Sequence, residues 1–344
     1  MRSGRFRAAP TTFGPDRLPG LDIARALAVL GMFAAHTIAR DGAESLVNGR
    51  SSVLFATLAG VSLGLMTGGP TPSRGTARFA GAASIAMRGL LLLALGLLLW
   101  GLRTDIAVIL DYYGVMFLLL LPVLFAPRWV VAIVGAAAAV VGPVAKEAAL
   151  GAVPEGGSLV LDRLLTGYYP ALIWLAYLAA GLIAARSDLR RARTQTVVAV
   201  TGLLGMVLGY GGAALLPGVD AEAHSDSTAE VLGSGGLALV VIAILVWLTS
   251  PERRALGRAA RIVTWPLAAT GSMALTVYVA QLLVLAAWID TRPDRFDVDY
   301  PPTLFAALAV GSILFGTVWR ATLGAGPLER LFRALTITPF RRTR

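Results

Sequence analysis

Cysteine is absent from the 344 residues. That excludes a disulfide frame, a thiolate nucleophile and a thiolate metal site. Charge is scarce too, at 15 % of residues, where a soluble globular protein carries about 25 %. Histidine occurs only as His36 and His224, far apart and without a His-xxx-His spacing, so no metal-ligand set is expected. Nucleotide-cradling and nucleophile-elbow motifs are missing in any fitting context. Lysine is reduced to Lys146, so the formal net charge of +10 comes from arginine. Those arginines lie in short segments between apolar runs, which fits membrane topology and not nucleic-acid binding. Apolar residues are what the chain has, at 56 % with a mean hydropathy of +0.73. A soluble enzyme, a disordered chain and a secreted disulfide scaffold are all excluded.

Windows of about 20 apolar residues mark spanning helices. Ten are read, near 21–39, 52–67, 83–101, 108–126, 128–145, 165–185, 194–214, 232–249, 264–288 and 303–323. The expected fold is all-α, a polytopic membrane bundle over 21–323, with an N-terminal tail at 1–20 and a basic C-terminal tail at 324–344. Residues 1–20 carry Pro10, Pro15 and Pro19 but no apolar h-region, so the first helix is expected to remain as a signal anchor. One set of alternate segments collects 22 basic residues, including Arg74, Arg78, Arg258 and Arg261, and the other only seven. Such a bias predicts both termini in the cytoplasm of a multi-pass protein of the plasma membrane. The acidic loops 218–230 and 290–300 then fall outside. Tyr112, Tyr113, Tyr168, Tyr169 and Trp288 near outer helix ends, with Trp100, Trp174 and Tyr177 further in, read mainly as an interfacial aromatic belt plus ordinary packing. Gly60-xxx-Gly64 and Gly233-Ser234-Gly235-Gly236 read as close packing.

The first helix carries a polar stripe. At 100° per residue, Arg25 and His36 lie about 20° apart around the axis, and Asp22 and His36 about 40°. His36 stands roughly 16 Å along the axis from Arg25, toward the outer end. Asp22 and Arg25 alone read equally as an i,i+3 pair at a helix start. His36 shares their face, and ionisable residues within spans turn toward a bundle interior or a wet cavity. His224 lies in the outer loop among Asp220, Glu222, Asp226 and Glu230, where a solvated role competes with a functional one. A carboxylate beside His36 would orient the imidazole as general-base chemistry requires. The candidates are Glu44, Asp105, Asp111 and the acids of the His224 loop.

The spacing Asp22-xx-Arg25-(ten residues)-His36 in a first helix resembles the transmembrane acyltransferase superfamily, which includes acyltransferase-3 and heparan-α-glucosaminide N-acetyltransferase-like, YeiB-like membrane proteins. Residues 48–69, 109–122, 271–281 (GSMALTVYVAQ) and 326–336 (GPLERLFRALT) resemble successive signatures of the latter group. Ala26 departs from the glycine common after the arginine. The resemblance implies transfer of an acyl group, acetyl from acetyl-CoA above all, to a sugar or glycolipid acceptor, with His36 catalytic and Arg25 and Asp22 on the donor side. An anionic donor would want the inner arginines Arg25, Arg74, Arg78, Arg258 or Arg261. Ser52, Asp111, His224, Tyr278 and Gln281 are the candidate acceptor-side and oxyanion-stabilising residues, though each also reads as an interhelical hydrogen bond. No metal and no nucleic acid are expected, membrane lipids are, and a homo-oligomer is left open. A transporter with broken helices and a non-catalytic scaffold are the alternatives.

Overall fold

Runs this apolar leave the backbone few ways to satisfy its own polar groups inside a bilayer, and the helix is the local one. The computed structural model describes residues 17–38, 47–102, 104, 106–152, 158–291 and 300–336, and every regular element among them is helical. In order they are α1 (Pro19–Thr37), α2 (Arg50–Met66), α3 (Gly75–Trp100), α4 (Leu110–Leu120) and α5 (Arg128–Ala152). The short turn α6 (Leu159–Leu161) runs into a π-helical stretch, Asp162–Thr166, before α7 (Ala171–Arg186). A second π-helical stretch, Val207–Gly211, joins α8 (Ala192–Met206) to α9 (Gly212–Leu215). Then come α10 (Thr228–Leu248), α11 (Arg254–Val263), α12 (Trp265–Gly271), α13 (Ala274–Asp290), α14 (Pro302–Thr322) and α15 (Pro327–Thr336).

Each of the ten expected spans corresponds to helix, so the protein is a polytopic helical bundle. Among the described residues five single helices are long and apolar enough to cross a membrane: α3, α5, the α8–α9 stretch, α10 and α14. The count rises to seven when each of two bent pairs is one span, Leu159–Thr166 with α7 (51°) and α12 with α13 (77°). The other three expected spans are α1, whose charged stripe dilutes its hydropathy, and the short apolar helices α2 and α4. Gly31 and Gly142–Pro143 both lie within continuous helix. The sharper of the two breaks is at Ser272–Met273, at a Gly–Ser pair of the kind that kinks helices.

The core is built by α1, α2, α7, α10, α12 and α13, with α2 laid along α7 and α8 along α10. Two glycines set the first of these approaches. A Cβ on Gly60 would strike the backbone of Leu178, and one on Gly181 the backbone of Thr57 and Val61. The Gly60-xxx-Gly64 pair is therefore a packing seam. Residues expected in a free C-terminal tail form α15, which packs on α3 and α13.

The bundle has two chemically distinct ends. At one, Arg186 is buried and bonds the carbonyls of Gly69 (2.6 Å) and Leu124 (2.8 Å) and the hydroxyl of Thr67 (2.7 Å). Arg128 reaches Ser187 (3.2 Å) and Arg261 the carbonyl of Thr249 (2.9 Å) there. The segments expected on one side by charge thus meet at one end.

Candidate functional site

The first turn of α1 begins at a proline, Pro19, with Asp22 one turn in. Asp22 is only 1 % exposed, and an acid buried there needs cations. It has two: Arg17 Nε donates to Oδ2 at 2.6 Å and Arg25 to Oδ1 at 2.6 Å. Arg25 spends a further N–H on the Ser62 hydroxyl of α2, at 2.8 Å. The Asp22–Arg25 pair is thus part of an interhelical knot. Arg320 of α14 has the charges of Arg17, Asp22 and Arg333 as neighbours, and Arg88 of α3 those of Arg333 and Glu329. Glu329 itself caps the broken span: its carboxylate accepts from the Thr276 amide (3.1 Å) and the Thr276 hydroxyl (2.6 Å) at the start of α13. A negative charge at a helix N-terminus is favourable.

The other end holds His36. Its Nδ1 lies 2.9 Å from Gln281 Nε2 on α13. Either orientation of the amide fits that contact, because amide nitrogen and oxygen differ little in shape. With nitrogen toward the ring, the amide donates and the imidazole keeps its proton on Nε2. With Oε1 toward the ring, Nδ1–H donates and Nε2 is left as a base. Gln281 is 1 % exposed and its Oε1 is buried without another partner, so the amide is committed to this histidine. Among the described residues no carboxylate takes that place, and the amide of Gln281 stands where an acid was expected. Asp111 goes to Arg163, Asp226 to Lys146 (2.6 Å) and to Trp174 Nε1 (3.1 Å), and Glu230 to the amides of His224 (2.9 Å) and Asp226 (2.7 Å). Asp220 accepts from the Glu222 amide. Glu44 and Asp105 lie outside the described residues.

His224 is not a solvated loop residue. Ser227 caps α10 by accepting from the Glu230 amide (2.9 Å), and Glu230, three residues on as in a capping box, reaches back to hold the loop. His224 (φ 64°) and Asp226 (φ 52°) are both held in the left-handed region, which costs free energy in non-glycine residues. The loop is thereby pinned inward. The His224 ring sits 4.2 Å from Tyr168, 5.6 Å from Tyr169 and 6.5 Å from Trp174, centroid to centroid, with its Nδ1 buried and without a partner. Burial, then the Lys146 ammonium, then the charge of His36 push its pKa down to about 4. The only two histidines, 188 positions apart in sequence, are therefore electrostatic neighbours.

The rings around them correct the belt reading. Tyr112, Tyr113, Tyr169, Trp174 and Tyr177 are buried, and Tyr169 carries a hydrogen bond with Ser52 of α2. Tyr278 accepts from the Ile109 amide at 3.4 Å. So Ser52, His224, Tyr278 and Gln281 all border one aromatic interior with His36, and Asp111 stands next to it, beside Tyr112 and Tyr278. Of the predicted donor arginines only Arg25 joins a cluster, the one around Asp22. Arg74 is exposed at the start of α3, Arg78 lies over Phe125 (5.3 Å), and Arg258 and Arg261 ride on α11. The arginines that join Arg25 around Asp22 are Arg17, Arg320 and Arg333. The sequence reading missed them as a group, along with Gln281 as the partner of His36 and Arg163 as that of Asp111.

Residues 180–339 match the family described as Protein of unknown function (DUF418), a family of YeiB-like membrane proteins. The matched stretch contains His224, Gln281 and α15 but not α1. No curated protein matches the chain.

Proposed function

We propose that the protein is a membrane-embedded acyltransferase that moves an acyl group, acetyl from acetyl-CoA in the simplest case, to a hydroxyl or amine of an envelope glycan or glycolipid. The observation that carries this reading is His36, tied by Gln281 into a buried aromatic interior beside His224, on the same helix whose other end enters a cluster of arginines. The chemistry balances with one base. Nε2 of His36 takes the acceptor proton as the acceptor oxygen or nitrogen attacks the thioester carbonyl, the C–S bond breaks, and the imidazolium returns the proton to the departing thiolate. Buried O–H and N–H donors such as Tyr278 stabilise the oxyanion. The anionic donor enters from the end holding Arg17, Arg25 and Arg320, which faces the cytoplasm of the plasma membrane in this reading, and the acceptor from the other.

The test is transfer of label from acetyl-CoA in proteoliposomes supplied with envelope extract. His36→Ala should lose at least about 100-fold in rate, as removal of a positioned general base does. Equal labelling by the two proteins rejects the role of His36. One observation favours a second reading, transport: the span formed by α12 and α13 is broken and bent by 77°, and discontinuous helices build substrate sites in transporters. Accumulation of an unmodified substrate in the vesicles, without label transfer, selects that reading.

A further inference from the structure

At the same end as His36, the end of α3, the start of α4 and the π-helical stretch Asp162–Thr166 enclose a cavity of about 410 Å³ walled by Trp100, Asp111, Tyr112, Asp162, Arg163 and Tyr168. Tyr168 is the shared wall, since its ring also contacts His224. Close approach of α3 to α4 seats Asp111 here, because a Cβ on Gly96 would strike its backbone.

The walls already settle their own charges. Arg163 Nε donates to Asp111 Oδ2 at 2.5 Å, another of its nitrogens bonds Asp162 and reaches the Tyr112 hydroxyl (3.3 Å), and that hydroxyl reaches Asp162 Oδ2 (3.3 Å). One acceptor is left over. Asp111 is 0 % exposed; the backbone amides of Asp111 and Tyr112 lie beside its carboxylate, but its Oδ1 is buried with no hydrogen bond of ordinary geometry. An unmet buried acceptor is costly, so the site is built to receive a donor.

The identity of that donor follows by elimination. A cationic ligand competes with Arg163, which already lies over the Tyr112 ring (4.6 Å) and the Trp100 ring (5.5 Å) and takes Oδ2. Among the described residues, an anion meets two carboxylates against one guanidinium. A purely apolar ring leaves Oδ1 unmet. A neutral polyhydroxylated ring satisfies all three conditions. Its O–H groups donate to Oδ1, its ring oxygens accept from Arg163, and its C–H face lies on Trp100, 61 % exposed, and Tyr168, 47 % exposed. The volume fits a small ligand of that kind.

We propose that this cavity is a glycosyl-binding subsite in which Asp111 Oδ1 receives a sugar hydroxyl and Trp100 and Tyr168 form the stacking platform. It names the place and the contacts of the acceptor in the proposed transfer, and rests on that reading for the reaction but not for the binding.

The full chain in lipid nanodiscs, without any acyl donor, is titrated with methyl pyranosides of glucose, mannose and N-acetylglucosamine and followed by saturation-transfer NMR. A parallel arm places a glycolipid of each sugar in the disc, separating free from lipid-linked forms; binding in either arm supports the subsite. Asp111→Asn removes the charge that receives the hydroxyl, and Trp100→Leu, at an exposed position, guards against a folding artefact. Each should weaken binding by about tenfold or more. Absence of sugar binding in both arms, stronger binding of choline than of any glycoside, or wild-type affinity in Trp100→Leu overturns the subsite. Sugar binding with no label transfer by the wild type leaves the subsite standing and removes the acyltransferase reading. Transfer without sugar binding does the reverse.

Discussion

The two ends of this bundle solve burial in opposite ways. At the arginine end, buried charge is met by opposite charge or by helix-end carbonyls: Asp22 by Arg17 and Arg25, Arg186 by the carbonyls of Gly69 and Leu124. At the histidine end, aromatic rings pack around the two imidazoles and the key contact is an amide on an imidazole, while the ion pairs Asp111–Arg163 and Lys146–Asp226 stand at the margin of that interior. The first arrangement is rigid and suits recognition of a charged group. The second leaves proton-exchanging nitrogens in a low-dielectric interior, where a small change of protonation has large consequences. The proposed transfer uses the second end for its chemistry and the first for holding the donor.

That contrast is open to attack by substitution. The largest effect on stability is expected for Asp22→Asn, which strands two guanidinium groups around a buried site. A loss of about 3 kcal/mol follows, read as a lower unfolding midpoint in detergent. An unchanged midpoint would mean that the arginine end does not depend on its acid. Arg186→Lys comes next, because an ammonium cannot span the carbonyls of Gly69 and Leu124 together with the Thr67 hydroxyl. About 2 kcal/mol should go, with the midpoint falling less than for Asp22→Asn.

The smallest effect is a pH dependence peculiar to the histidine end. His224 titrates near 4 in the folded protein against about 6.5 when exposed. Between these values the unfolded chain binds a proton that the folded chain refuses. The contribution of His224 to stability is therefore nearly complete above about pH 6.5 and is lost as pH drops toward 4, by about 1.4 kcal/mol at pH 5.5. His224→Gln should flatten that segment of the stability-pH curve. A slope that persists in the variant assigns it to other groups.

Hydropathy is a sum over neighbouring residues, and so the ten apolar segments and their helical state were legible one by one. The arginine bias was legible for the same reason, since each loop declares its own charge. The polar stripe of α1 followed from helical periodicity, and Ser227-xx-Glu230 carried its cap in plain view. What failed was everything that needs two distant segments. Nothing near His36 announces Gln281, 245 positions away, and an amide drew less attention than the many acids. Tyr112, Tyr113 and Tyr169 sit near helix ends, where an interfacial belt predicts them, yet the bundle closes over them. The break in the ninth segment was missed although Gly271–Ser272 marked it, because an apolar window does not register a bend. The π-helical stretch that brings Asp162 and Arg163 to Asp111 has no known local signal in this sequence.

Since the chain is free of cysteine, proximity of the two histidines is directly measurable. The double variant His36→Cys with His224→Cys, in membranes, is treated with a short bifunctional thiol reagent, and His36→Cys with Arg258→Cys serves as the control across the bundle. The account predicts rapid intramolecular cross-linking of the first pair and none of the second. Equal rates for both pairs, or no reaction at 36 and 224 while each thiol labels singly, would contradict it.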